Sequence, residues 1–132
     1  MHGHAEDLAE SRDRMVASQV ANRGVQSPAV LAAMRRVPRE RFVEPGMEAV
    51  AYDDAPLPIG EHQTISQPYI VAAMIEAAEV GPQDDVLEVG AGSGYATAVL
   101  SRIAAHVCAI ERHPPVITQN GSPSASMKRC AP

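Results

Sequence analysis

Apolar residues return at helical spacing through the first part of the chain. Leu8, Met15, Val16 and Val20 fit one helical stripe, and Gly24 supplies a stop. Ser27-Pro28 has the form of an N-cap followed by proline at the first helical position. A second, short helix is therefore predicted, with Val30, Leu31 and Met34 as its stripe and its end before Pro38. From Glu44 to Gly60 the periodicity fades, and Pro45, Gly46, Pro56, Pro58 and Gly60 punctuate a loop. A third helix is predicted from around Ser66 to Pro68 through Ile70, Met74 and Ile75, stopped by Gly81-Pro82. Beyond that stop the pattern changes to a strand at Asp85 to Val89, a glycine turn, a helix from Tyr95 to about Ala105, and a strand at His106 to Ile110. This order predicts one βαβ unit behind a helical N-terminal region. No internal repeat interrupts it.

The chain divides accordingly into a helical region with a long loop over 1–80, a βαβ unit over 81–112 and a divergent tail over 113–132. Every acidic residue lies at or before Glu111, whereas the tail, HPPVITQNGSPSASMKRCAP, has none. Its four prolines and three serines make it a poor helix and a poor strand, so disorder is predicted there. A formal net charge of -5 argues against a nucleic-acid backbone as the main partner. No run reaches membrane-spanning length, and MHGHAEDLAE lacks the basic-then-apolar order of a secretory signal. Cys108 and Cys130 have no metal-ligand spacing and are too few for a disulfide framework, which predicts a reducing, cytoplasmic setting. His2 and His4 are read as part of a solvated start, not as metal ligands.

The candidate chemistry lies in VLEVGAGSGY, residues 86 to 95. Glycines after a strand let backbone approach a ligand at a helix N-terminus. A dinucleotide-binding turn reads GxGxxG, which requires a third glycine at position 95. Tyr95 stands there instead, and the glycines are Gly90, Gly92 and Gly94. Glu88, two residues before the first of them, would repel a pyrophosphate but suits a cationic or hydroxyl-rich ligand. Glu111 ends the next strand about twenty residues on, where an acid accepts hydrogen bonds from ribose hydroxyls. S-adenosylmethionine, with a sulfonium, an amino group, ribose hydroxyls and no phosphate, matches this set. Tyr95 either covers that cofactor or packs the helix start.

Upstream, PLPIG at Pro56 to Gly60 and QTISQP at Gln63 to Pro68 precede the turn. In that order, together with QVANRGV from Gln19 and RRVPRERFV at 35–43, they resemble the protein-L-isoaspartate (D-aspartate) O-methyltransferases. The resemblance runs from about Met15 to Arg112. It implies an α/β doubly wound, Rossmann-like methyltransferase fold, C-terminally incomplete. It also implies methyl transfer from S-adenosyl-L-methionine to the α-carboxylate of L-isoaspartyl residues in damaged proteins. By the same resemblance Ser66 is the active-site serine, and Thr64, Ile65 and Ser66 line cofactor and substrate. Glu88, Gly90, Gly92, Gly94 and Glu111 are the implied cofactor contacts.

Ser66 would orient a carboxylate that is already nucleophilic, since no GxSxG elbow surrounds it. Taken alone, Ser66-Gln67-Pro68 reads as a helix cap. His62 is not needed as a base, and Asp53 and Asp54 read as solvated or turn-forming. Rival readings are an inactive truncated fragment that only binds a partner, a small-molecule methyltransferase, and a nucleotide-dependent oxidoreductase, the last disfavoured by Tyr95. Family members continue beyond the second strand, so this chain is expected to carry a two-stranded parallel sheet.

Overall fold

The computed structural model describes residues 4–60, 62–111 and 127–129. Helix α1 (His4–Arg14) runs directly into a π-helical stretch, Met15–Val20, and a 3-10 turn, Ala21–Arg23. Gly24 ends it at φ 112°, a left-handed value that suits glycine at a helix terminus. The widened turns bury Met15, Val16 and Val20 completely. Helix α2 (Pro28–Arg36) starts as the sequence predicts: the Ser27 hydroxyl accepts the Val30 N–H at 3.3 Å, and Pro28 opens the helix. The Glu76 carboxylate accepts the N–H groups of Gln26 and Ser27, each at 2.7 Å, and so ties α3 (Pro68–Ala77) to this start. Ser27→Ala is expected to cost about 1 kcal/mol, read as a lower urea midpoint at unchanged slope.

Of Ile70, Met74 and Ile75, the apolar residues that mark α3 in the sequence, Ile75 lies on its buried face. Pro68, Val71, Ala72 and Ile75 point inward, whereas Ile70 and Met74 are exposed. Both sets are apolar at helical spacing, and packing against α2 and the π-helical stretch selects the first.

The long loop also holds more order than its prolines predict. Two 3-10 turns, Arg39–Arg41 and Glu48–Val50, lead to an antiparallel hairpin of β1 (Leu57–Gly60) and β2 (Gln63–Ile65). Leu57 pairs with Ile65, and Leu57, Ile59 and Ile65 are buried. Pro58 is tolerated because the pair has two free outer edges. His62 turns the hairpin at φ 57° and is exposed.

β3 (Asp85–Val89), α4 (Tyr95–Ser101) and β4 (His106–Ile110) form the expected βαβ unit, with the strands parallel and Glu88 opposite Ala109. The helix is shorter than predicted, ending in a turn over 102–105. The sheet has three strands, not two: β5 (Met127–Arg129) lies parallel beside β4, from Val107↔Met127 to Ala109↔Arg129. Three tail residues thus adopt a strand despite poor propensity, because the open edge of β4 presents backbone groups that any extended segment satisfies. The rest of the tail prediction, like His2 and Cys130, lies outside the described residues. Cys108 on β4 is disulfide-bonded, which its spacing did not signal.

Alternation gives the sheet two different faces. Val107 is buried and Val86 partly so beneath the helices, while Leu87, Val89 and Ile110 on the opposite face are exposed. The order β3-β4-β5 leaves the other edge of β3 without a partner strand among the described residues.

Candidate functional site

The glycine turn closes over the end of β4. The N–H groups of Gly90 and Ala91 both donate to the Ile110 carbonyl, at 2.8 and 3.2 Å. The Gly94 N–H donates to the Ala91 carbonyl at 2.9 Å, and the Gly94 carbonyl accepts the Ala98 N–H at 2.9 Å. Gly90, Gly92 and Gly94 have φ values of 81°, 57° and 87°, so all three predicted positions need the conformation that glycine allows. The Gly92 N–H donates to a Glu111 carboxylate oxygen. That amide is thereby occupied by an acid, which a phosphate would have to displace. The turn thus fits a phosphate-free ligand, as its acids predict.

Glu88 projects from β3 on the helix side and accepts a hydrogen bond from the buried Thr97 hydroxyl of α4 at 2.5 Å. Burial, reinforced by the charge of Glu111, raises its pKa above the ordinary carboxylate value, while the Thr97 bond opposes the rise. A carboxyl raised on folding binds more protons in the native than in the unfolded state. Stability from this group is therefore greatest below its unfolded pKa and declines as pH rises through the folded one. Glu88→Gln removes that decline. Its melting temperature relative to the unsubstituted chain is expected to rise between pH 4 and pH 7, and a constant difference would contradict the assignment.

The third part is the segment after β2. Thr64 is exposed, Ile65 is buried and Ser66 is exposed. The N-cap of α3 is Gln67, and no side chain caps it, so the Ser66 hydroxyl is not committed to a helix end. Asp54, read from sequence as solvated, pairs with Arg23 and accepts the Gln67 side-chain N–H at 2.9 Å, holding the residue next to Ser66. The hairpin reaches the glycine turn through Ile59, whose Cδ1 would lie 3.8 Å from a Cβ at Gly92. Phe42 closes on Gly94 in the same way at 3.9 Å.

Two residues in this region carry more than sequence reasoning assigned. Tyr95 is 1% exposed, which decides between the two readings of it: it packs the helix start. Arg39, within the RRVPRERFV segment, is completely buried with its guanidinium 4.8 Å from the centre of the Tyr95 ring. Its only signal in the sequence is its place in that segment, which resembles a charged surface stretch.

Chemically, the site offers two carboxylates beside a glycine turn, and an exposed serine following a hairpin whose Ile59 reaches that turn. Such a set suits ribose hydroxyls and a cationic centre. Among the described residues no group of His, Cys, Asp or Glu has the form of a metal site, and no helix is long and apolar enough to cross a membrane.

Comparison with known proteins agrees with this geometry. Residues 10–123 match the family model described as protein-L-isoaspartate(D-aspartate) O-methyltransferase, beyond both ends of the motif resemblance. Protein-L-isoaspartate O-methyltransferase 1 of Rhodopseudomonas palustris (strain HaA2) is 62% identical over 108 residues, covering 82% of this chain and 44% of that protein. The enzyme of Methylorubrum extorquens is 62% identical over 107 residues, covering 81% of this chain and 47% of that one. The chain spans about half the length of the curated relatives it matches.

Among solved structures, a protein-L-isoaspartate O-methyltransferase superposes with a TM-score of 0.69 at 29% identity, covering 80% of this chain and 35% of that one. A Plasmodium falciparum chain described as the same enzyme, in complex with S-adenosyl-L-homocysteine, superposes at 0.67 with 22% identity, covering 80% of this chain and 50% of that one. The latter likeness shows the fold, an incomplete Rossmann-like α/β methyltransferase arrangement. With the glycine turn and the TISQP segment both inside the matched residues 10–123, the chain belongs to the protein-L-isoaspartate(D-aspartate) O-methyltransferase family.

Proposed function

We propose that this chain carries the cofactor half of an enzyme that methylates the α-carboxylate of L-isoaspartyl residues in damaged proteins, using S-adenosyl-L-methionine. The observation that carries the reading is the contact of the hairpin that leads into Ser66 with the glycine turn, through Ile59 at Gly92, within a chain matched by the family model over residues 10–123. Glu111 and Glu88 would hold the hydroxyl and cationic parts of the cofactor, with Gly90, Gly92 and Gly94 allowing close approach. Thr64 and Ile65 would line the cofactor, and Ser66 both cofactor and substrate. When bound, the cofactor supplies a methyl group activated by its sulfonium.

The protein's own part is then positional. A carboxylate is already nucleophilic at neutral pH, so no general base is required of His62. Ser66 would donate a hydrogen bond to one carboxylate oxygen and leave the other directed at the methyl group. Holding reactants in near-attack geometry with water excluded is sufficient to supply most of such a rate enhancement.

Matched peptides containing isoaspartate and aspartate, incubated with the full-length enzyme that carries this half and a labelled methyl donor, test the reading. Label is expected on the isoaspartyl peptide alone; equal labelling would remove the substrate assignment. Ser66→Ala is expected to lower kcat about tenfold or more with a small change in cofactor affinity, because one orienting hydrogen bond is lost. Unchanged turnover with a lost fold would return Ser66 to a structural role.

A further inference from the structure

Arg39 is a buried cation whose bonds go to backbone from two separate loops. Its Nε donates to the Ala51 carbonyl at 2.7 Å, and its Nη2 donates to the Ser66 carbonyl at 2.9 Å. Its own backbone N–H donates to the Tyr52 hydroxyl at 3.1 Å. The guanidinium carbon lies over the ring of Tyr95, the first residue of α4 after the glycine turn. Nη1 is buried and makes no hydrogen bond. Burying an arginine without a carboxylate is costly, and the usual remedy for a structural role is an apolar side chain of the same size. What an apolar side chain cannot do is grip a carbonyl and a ring at once. The planar fork does so with little loss of freedom.

We propose that Arg39 is the positioning residue of the site. It fixes the backbone of Ser66 against the glycine-turn helix, and so sets where the serine hydroxyl stands relative to the bound cofactor. The inference rests on the methyltransferase reading for its catalytic consequence, but not for its structural one. It concerns a residue whose side chain reaches Ser66 through the backbone and touches neither substrate nor cofactor.

Two measurements separate these layers, the first on the 132-residue chain and the second on the full-length enzyme that carries it, with Arg39→Lys and Arg39→Met as variants. The first is amide exchange by NMR. The Ile70 and Val71 N–H groups bond to the Gln67 carbonyl in the first turn of α3, directly after the gripped Ser66. The Val37 N–H, bonded to Ala33 at the end of α2, and the Ala78 N–H, bonded to Met74 at the end of α3, serve as references.

In Arg39→Met, exchange at Ile70 and Val71 is expected to rise at least tenfold with the references within threefold. Arg39→Lys, which keeps a cationic donor group but not the planar fork, should recover part of the protection. Equal acceleration at all four amides would show that Arg39 only supports the fold, and no change at any would show that it fixes nothing. Either result overturns the proposal.

The second measurement is methyl transfer to the isoaspartyl peptide. Arg39→Lys is expected to lower kcat about tenfold to a hundredfold, the effect of a reacting group displaced by roughly 1 Å, with the cofactor KM within threefold. Unchanged kcat beside selective exchange would remove the positioning role. If the unsubstituted full-length enzyme transfers no methyl group, the functional reading falls, and the exchange result alone decides whether Arg39 fixes Ser66.

Discussion

Tyr95→Ala is expected to lower the stability of this chain by about 3–5 kcal/mol, the range for emptying a buried aromatic site. The ring is surrounded on every side that the structure describes. Phe42 meets it edge-on at 5.7 Å between centroids, the Arg39 guanidinium covers it, and its hydroxyl donates to the Met34 sulfur at 3.5 Å. Burial pushes the phenol up to about 12, so it stays a neutral donor across the ordinary pH range. Removing the ring leaves a cavity and strands a buried cation beside it. Domains of this size are stable by only about 5–15 kcal/mol, so the loss is a large fraction of the total. Tyr95→Phe, which keeps the ring and gives up a weak bond to sulfur, is expected to cost under about 1 kcal/mol. Urea titrations of both variants check the pair. A Tyr95→Ala loss no larger than that of Tyr95→Phe would mean that the hydroxyl, not the ring, anchors α4.

Glu111→Ala is expected to weaken S-adenosylmethionine binding roughly tenfold to a hundredfold, from charge-assisted hydrogen bonds worth about 1.5–3 kcal/mol. Two effects contribute. Under the proposed reading the carboxylate accepts from the ribose, and in the structure it also accepts from the Gly92 amide. Without it, Gly92 at φ 57° loses a contact that holds the turn in its left-handed shape. Glu111→Gln retains an oxygen for the amide and should lose less. Calorimetric titration with S-adenosylhomocysteine distinguishes these cases. Equal losses for the two variants would assign the whole effect to charge and none to the shape of the turn.

The βαβ unit was legible because its signals are local. Asp85–Val89 and His106–Ile110 were predicted to the residue, since a glycine turn and Gly81-Pro82 mark their limits. The Ser27 cap was legible for the same reason: its partner is three residues away. What could not be read depends on partners far along the chain. Nothing near Ile70 or Met74 says that the opposite side of α3 meets α2. The hairpin was hidden because Pro58 reads as a breaker, whereas its strand edge needs no donor there. At the site, the identities of Glu88, Glu111 and the glycines followed from the turn, but the role of Arg39 required knowing that Ala51, Ser66 and Tyr95 converge on it. Residues 127–129 were missed because strand formation there comes from an open neighbour and not from their own preference.

The hydrogen bonds that close this fold span very different lengths of chain. His106 meets Asp85 across 21 residues, Arg12 meets Tyr52 across 40, and Gln26 meets Glu76 across 50. Because the entropy of closing a loop grows only with the logarithm of its length, the longest of these costs just about 0.8 kcal/mol more than the shortest. That difference is a few-fold in rate at most. The order of assembly is then set by which contacts bury apolar surface early, and the helical cap is as quick to close as the strand pair it covers. A single kinetic phase, with α2 and β3 gaining protection together, is the behaviour this wiring leads to.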